Sequence, residues 1–147
     1  MTGAAGADGA GEFRAVRDEL EIRGALARIA MLSDMGDLDD YAAQFTEDAV
    51  WEMPGVPVKR GRAEIRAAGA ARRAEGATGP GSGTRHVIGT TAVEVGGDGG
   101  TAVAESYWQF YVRTGAEPHL RSMGHYRDTF RREPAGWRLA RREITPG

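Results

Sequence analysis

The chain has 147 residues, 41% of them hydrophobic, enough for one core and too few for two full domains. Nineteen basic and 21 acidic residues are mixed along it for a net charge of −2, so no basic stripe or tail marks a nucleic-acid surface. There is no cysteine, which excludes disulfides and thiolate metal sites, and arginine almost completely replaces lysine.

The first twelve residues, MTGAAGADGAGE, lack the basic start and apolar block of a secretory signal, and no later apolar run reaches membrane-spanning length. They are expected to be a disordered tail, 1–12, ahead of a single domain over 13–147 in a cytosolic protein without membrane partners. From Phe13 the pattern changes. Ile22, Ala25, Leu26, Ile29 and Leu32 recur at spacings of three and four, which predicts an amphipathic helix from about Glu12 to Met35, closed at Gly36. Asp37 can cap a second helix whose Leu38, Tyr41, Ala42 and Phe45 form one stripe.

AVWEMPG (49–55) reads as a short strand that stops at Pro54, and VPVKRG as a loop or edge segment. A third helix starts after Gly61; its RAEIRAAGAARRAE is helix-prone but has a thin apolar face, which predicts a place on the outside. GATGPGSG (76–83) is a flexible connection of the kind that borders pockets. The rest is strand-like: TRHVIGTTAVEV, a GGDGG turn, TAVAESYWQFYVRT, a loop through Pro118, RSMGHYRDTFRRE, a PAG turn and GWRLARREI. Helices first and strands after define an α+β class. A strongly curved antiparallel sheet packed on three N-terminal helices can enclose a conical cavity.

The order of LSDMGDLDDYAAQFTEDAVWEMPG, GRAEI, TRHVIGTTAVEV and GHYRDTFRREPAGWRLARRE resembles the nuclear transport factor 2-like superfamily. Within it the chain is most similar to the SnoaL-like group, which includes polyketide cyclases and scytalone dehydratase. That resemblance implies a cone-shaped α+β barrel around an apolar pocket and a homodimer or homotrimer formed through the outer sheet face. By motif position it also implies a catalytic pair, Asp34 in SDMGD and His86 in TRHVIG. The dehydratase's tyrosine before that aspartate and its second histidine correspond here to Ser33 and Trp108, so its complete set is absent. Tyr126, in GHYRD, falls near a place where relatives put a polar group that touches substrate.

The residues themselves support the same chemistry. Asp34 follows Ala30 by one turn on the Ile29 side of the helix, which predicts a carboxylate at the cavity edge. Period two turns His86, Ile88 and Thr90 inward together. A carboxylate fixes the ring's tautomer and favours its charged form while burial favours the neutral one, and a ring so balanced can move protons. Taken singly, Asp34 reads first as a helix-end carboxylate bonded to nearby backbone or within the acidic cluster of Asp37, Asp39 and Asp40, and His86 first as a structural histidine. Their joint occurrence at the family's two positions favours the dyad.

Trp51, Met53, Ile88, Trp108 and Tyr126 are the candidate substrate contacts; Met53 and the aromatics read equally as core. Alternation puts His125 on the face opposite Tyr126 and turns Arg85 outward, while Arg141 and Arg142 could offer an anion contact near the chain end but read first as a solvated terminal edge. Three histidines (86, 119 and 125) without ligand spacing give no metal site, and no cofactor is expected. The expected function is therefore proton transfer on an apolar oxygenated small molecule, in a dehydratase, isomerase or cyclase of secondary metabolism. Two other readings stand beside it. One is a non-catalytic ligand-binding or structural subunit, such as the beta subunit of ring-hydroxylating dioxygenases; the other is an epoxide hydrolase with an Asp–Arg–Asp set.

Overall fold

A computed structural model describes residues 4–147. Ile22, Ala25, Leu26 and Ile29 bury one side of α1 (Ala4–Met35), which packs along the sheet. This helix begins well inside the stretch expected to be a disordered tail: 4–12 is helical, its alanines favouring the helix against Gly6, Gly9 and Gly11, with no proline to stop it. Residues 1–3 of that expected tail lie outside the described residues. Side chains from 9 to 17 are exposed, so the core begins at Asp18.

Asp37 caps α2 (Leu38–Ala43) as its sequence predicts, its Oδ1 accepting from the backbone N–H of Asp39 and Asp40. Phe45, read as the end of that helical stripe, instead opens β1 (Phe45–Met53) and is fully buried there. β2 (Val56–Arg60) is the predicted edge segment. α3 (Arg62–Ala74) buries only Ile65 and Gly69. Four long strands follow, β3 (Arg85–Val95), β4 (Thr101–Val112), β5 (His119–Glu133) and β6 (Gly136–Pro146), paired in sequence as the expected antiparallel meander.

The six strands lie in the order β2-β1-β6-β5-β4-β3. One junction departs from an all-antiparallel sheet: β1 runs parallel to β6, joining the N-terminal hairpin to the last strand. That makes β6 an inner strand, and its inward side chains are buried. The main core joins Ile22, Leu26 and Ile29 of α1 to Phe45, Phe130 and Leu139 of the sheet. A second, smaller cluster of Trp108, Tyr126 and Ile144 borders the open end of the fold.

Candidate active site

Asp34 lies in the last turn of α1, where the backbone carbonyls run out of helical partners after Leu32, whose oxygen still accepts from Gly36 N–H at 3.0 Å. Arg73 of α3 meets that need: its Nη2 donates to the carbonyl oxygens of Leu32 (2.9 Å) and Ser33 (3.3 Å). The arginine stem passes over Gly79, where a Cβ would sit 2.7 Å from Arg73 Cγ and where φ is +94°, so this loop position requires glycine. The helix end is thus pinned from outside by the helix whose apolar face is thin.

Both oxygens of Asp34 turn to His86 at the head of β3. Nδ1 of the ring donates to Oδ1 at 2.7 Å, and the backbone N–H of the same residue donates to Oδ2 at 2.7 Å. The carboxylate side chain is 3% exposed and the imidazole 21%, so the acid sits behind the ring rather than at the cavity edge. With Nδ1 committed, Nε2 has no hydrogen-bond partner among the described residues. The ring leans on Phe110, centroids 4.7 Å apart, which fixes its second face.

His86 opens on a cavity of about 250 Å³. Ile88, Trp51, Met53, Trp108 and Tyr126, each predicted as a substrate contact, also line it. Thr90 does not: β3 bulges between Ile88 and Thr91, so Thr90 is exposed and Val93 and Val95 pack into the core instead. Trp108 lies flat over Gly124, where a Cβ would meet its ring at 2.7 Å. The indole also stacks on Tyr126 with centroids 5.7 Å apart. His125 faces the other way, as expected, toward Glu105 and Tyr107. Arg85 is half-buried and donates to the Thr84 carbonyl rather than lining the cavity.

Several polar groups of this cavity escape a sequence reading. Arg142, expected at a solvated edge, is buried and donates through Nε (2.8 Å) and Nη2 (2.7 Å) to the two oxygens of fully buried Asp128. Its guanidinium lies 3.9 Å over the Tyr126 ring. Burial works against the Arg142 charge, but Asp128 outweighs it and raises the arginine above its ordinary range. Tyr126 is pushed up to about 12, chiefly by burial, with Arg142 opposing. Tyr41, read as an ordinary stripe residue of α2, lines the same cavity, as do Arg72 and Thr78. Among the described residues no three histidine or acidic side chains cluster in a way that could hold a metal ion, and no helix is long and apolar enough to cross a membrane.

Residues 14–143 match the family model described as a SnoaL-like domain. No curated protein matches the chain. Among solved structures it is similar to an NTF2-like protein with a cystatin-like fold from Novosphingobium aromaticivorans, at 30% identity and a TM-score of 0.79, over 98% of this chain and 90% of that one. It is also similar to ActVI-ORFA from Streptomyces coelicolor, at 25% identity and a TM-score of 0.73, over 87% and 96% of the two chains. A candidate scytalone dehydratase from Novosphingobium aromaticivorans shares the fold at 18% identity, with a TM-score of 0.74 over 92% and 88%.

Proposed function

The chain belongs to the SnoaL-like domain family, and from that premise we propose that it is a cofactor-independent enzyme, a dehydratase or cyclase acting on an apolar oxygenated small molecule. The observation that carries the reading is the buried Asp34 carboxylate, with both oxygens on His86 and the free Nε2 edge of that ring left to a mostly apolar cavity. A subunit that only assembles a complex has no use for such a pair.

In this reading Asp34 holds the ring in the tautomer protonated at Nδ1, so Nε2 carries the lone pair of a base. Nε2 takes a proton from the carbon next to a substrate carbonyl, and the C–H electron pair becomes part of an enolate. The same nitrogen then returns the proton to the hydroxyl on the adjacent carbon. The C–O bond breaks, the enolate collapses to an enone, and water leaves. Trp51, Met53, Ile88, Trp108 and Tyr126 wall the ligand in and keep bulk water from the enolate. The hydrolytic alternative loses support because Asp128 is fully buried behind Arg142 and does not line the cavity, so it meets no substrate-side water. We further propose a cytosolic homodimer or homotrimer formed through the outer sheet face, where Val87, Tyr107 and Met123 stand exposed.

The test is turnover on a panel of cyclic β-hydroxy ketones, including polyketide-like ones, followed by enone absorbance. Asp34→Asn and His86→Ala should each lower the rate about 10²- to 10⁴-fold with the melting transition retained. The double variant should be no slower than the worse single one. Unchanged turnover in either single variant, or an Asp34→Asn chain that does not fold, would overturn the assignment.

A further inference from the structure

The acid–base pair leaves a second set of polar groups in the cavity without a task. Tyr41 on α2, Tyr126 on β5 and Arg142 on β6 line one region of it. The Arg142 guanidinium lies 3.9 Å over the Tyr126 ring, and Tyr41 faces the same cavity. Arg142 commits Nε and Nη2 to Asp128, which leaves Nη1 without a hydrogen-bond partner among the described residues. The hydroxyls of Tyr41 and Tyr126 have none either. Of the buried, unpartnered side-chain atoms, the sealed ones are Thr46 Oγ1, Ser106 Oγ and Trp108 Nε1, so these three donors are not closed off by protein.

Donors left unmatched against apolar walls cost free energy until something accepts from them. Here two O–H groups and one N–H edge face one cavity, and Asp128, fully buried and held on Arg142, does not line it. What completes the set is an acceptor oxygen on a ligand. A full anion is disfavoured, since Asp128 already balances the Arg142 charge and a second negative charge would be buried without a partner. A carbonyl oxygen has the acceptor lone pairs and no net charge. The stacked rings of Trp108 and Tyr126, 26° from parallel, add a flat wall beside it.

We propose that Tyr41, Tyr126 and Arg142 form a carbonyl-binding subsite that takes the ketone oxygen of a flat aromatic ligand. The inference rests on reading the cavity as a substrate site. It deepens that reading by naming the groups that hold the ligand's carbonyl oxygen in the cavity that His86 also lines.

The probes are 2-acetonaphthone and 2-isopropenylnaphthalene, which differ by one carbonyl oxygen against a CH₂, measured by equilibrium dialysis on the full chain. The wild type should bind the ketone about tenfold more tightly or better, the worth of one or two net hydrogen bonds. Tyr41→Phe/Tyr126→Phe, which keeps ring volume and removes only the hydroxyls, should bring that preference below about threefold. Arg142→Met/Asp128→Leu, which removes the ion pair as a unit, should also lower it; if that variant does not fold, the phenylalanine variant decides alone. His86→Ala should leave the preference intact. Equal binding of the two probes by the wild type, a preference that survives both tyrosine substitutions, or one abolished by His86→Ala would overturn the subsite. Full turnover in Asp34→Asn would instead remove the proton-transfer reading and leave these binding ratios as they are.

Discussion

Tyr126 sits in an environment far from water. Burial raises its phenol to about 12 from an ordinary 10.0, and the Arg142 charge over its ring offsets only part of that. The fold therefore favours the neutral phenol. Its contribution to stability is complete below pH 10 and is lost as pH climbs from about 10 through about 12. In alkaline difference spectroscopy of the four tyrosines, one tyrosinate step should centre near 12 and disappear in Tyr126→Phe. A spectrum in which that substitution removes a step at 10 instead would show that Tyr126 meets solvent. At this scale Asp34 and His86 were legible in the sequence because each stands in a short motif whose order along the chain is distinctive. Tyr41 was not, since on a six-residue helix a lining residue and a core residue occupy the same stripe.

Two bulges decide which side chains of the sheet reach the cavity. In β3 the register shifts between Ile88 and Thr91, so His86 and Ile88 face the cavity while Val93 and Val95, of opposite parity, reach the core. In the β5–β6 pairing it shifts between Thr129 and Phe130. Trp137 and Leu139 are therefore buried on one parity and Arg142 and Ile144 on the other. Strict alternation from Leu139 turns Arg141 inward and Arg142 out, the reverse of what is found. Arg141 instead pairs with Glu52 and Glu143 on the outer side. Sequence periodicity cannot reveal a bulge without a marked glycine, and Ala140 carries no such mark. Gly124 in β5 is the opposite case, a glycine with a visible reason. A Cβ there would come within 2.3 Å of the Thr145 carbonyl and 2.7 Å of the Trp108 ring. Gly124→Ala should cost about 1–3 kcal/mol in urea denaturation and shift the Trp108 fluorescence. A cost near zero would mean that β5 and β6 can separate freely there.

For the molecule as a whole, the parallel pairing of β1 with β6 brings Trp51 and Met53 to the cavity face of the sheet, and the opposite face carries exposed apolar side chains. On that face Val87, Tyr107 and Met123 are 43, 55 and 43% exposed on three adjacent strands, β3 to β5. Such a row on a twisted sheet suits a self-complementary contact. Light scattering at micromolar concentration should therefore give the mass of two or three chains, and Tyr107→Arg/Met123→Arg should give one chain with an unchanged circular dichroism spectrum. A wild-type monomer would rule out this interface and leave the cavity unaffected.

The amino-acid sequence alone determined the class of fold, the meander of four strands and the capped second helix, and its resemblance to a known family the pairing of Asp34 with His86. Each of these follows from local periodicity, from a side chain bonding to nearby backbone, or from motif order along the chain. Only the tertiary structure decided that the terminal strand is an inner one, that Arg142 and Asp128 are buried together under Tyr126, and that Tyr41 joins them. Those features depend on a parallel pairing between segments about ninety residues apart and on a one-residue slip of register at Ala140. Neither leaves a periodic trace in the chain, because long-range pairing and bulges are settled by the packing of the whole sheet rather than by neighbouring residues.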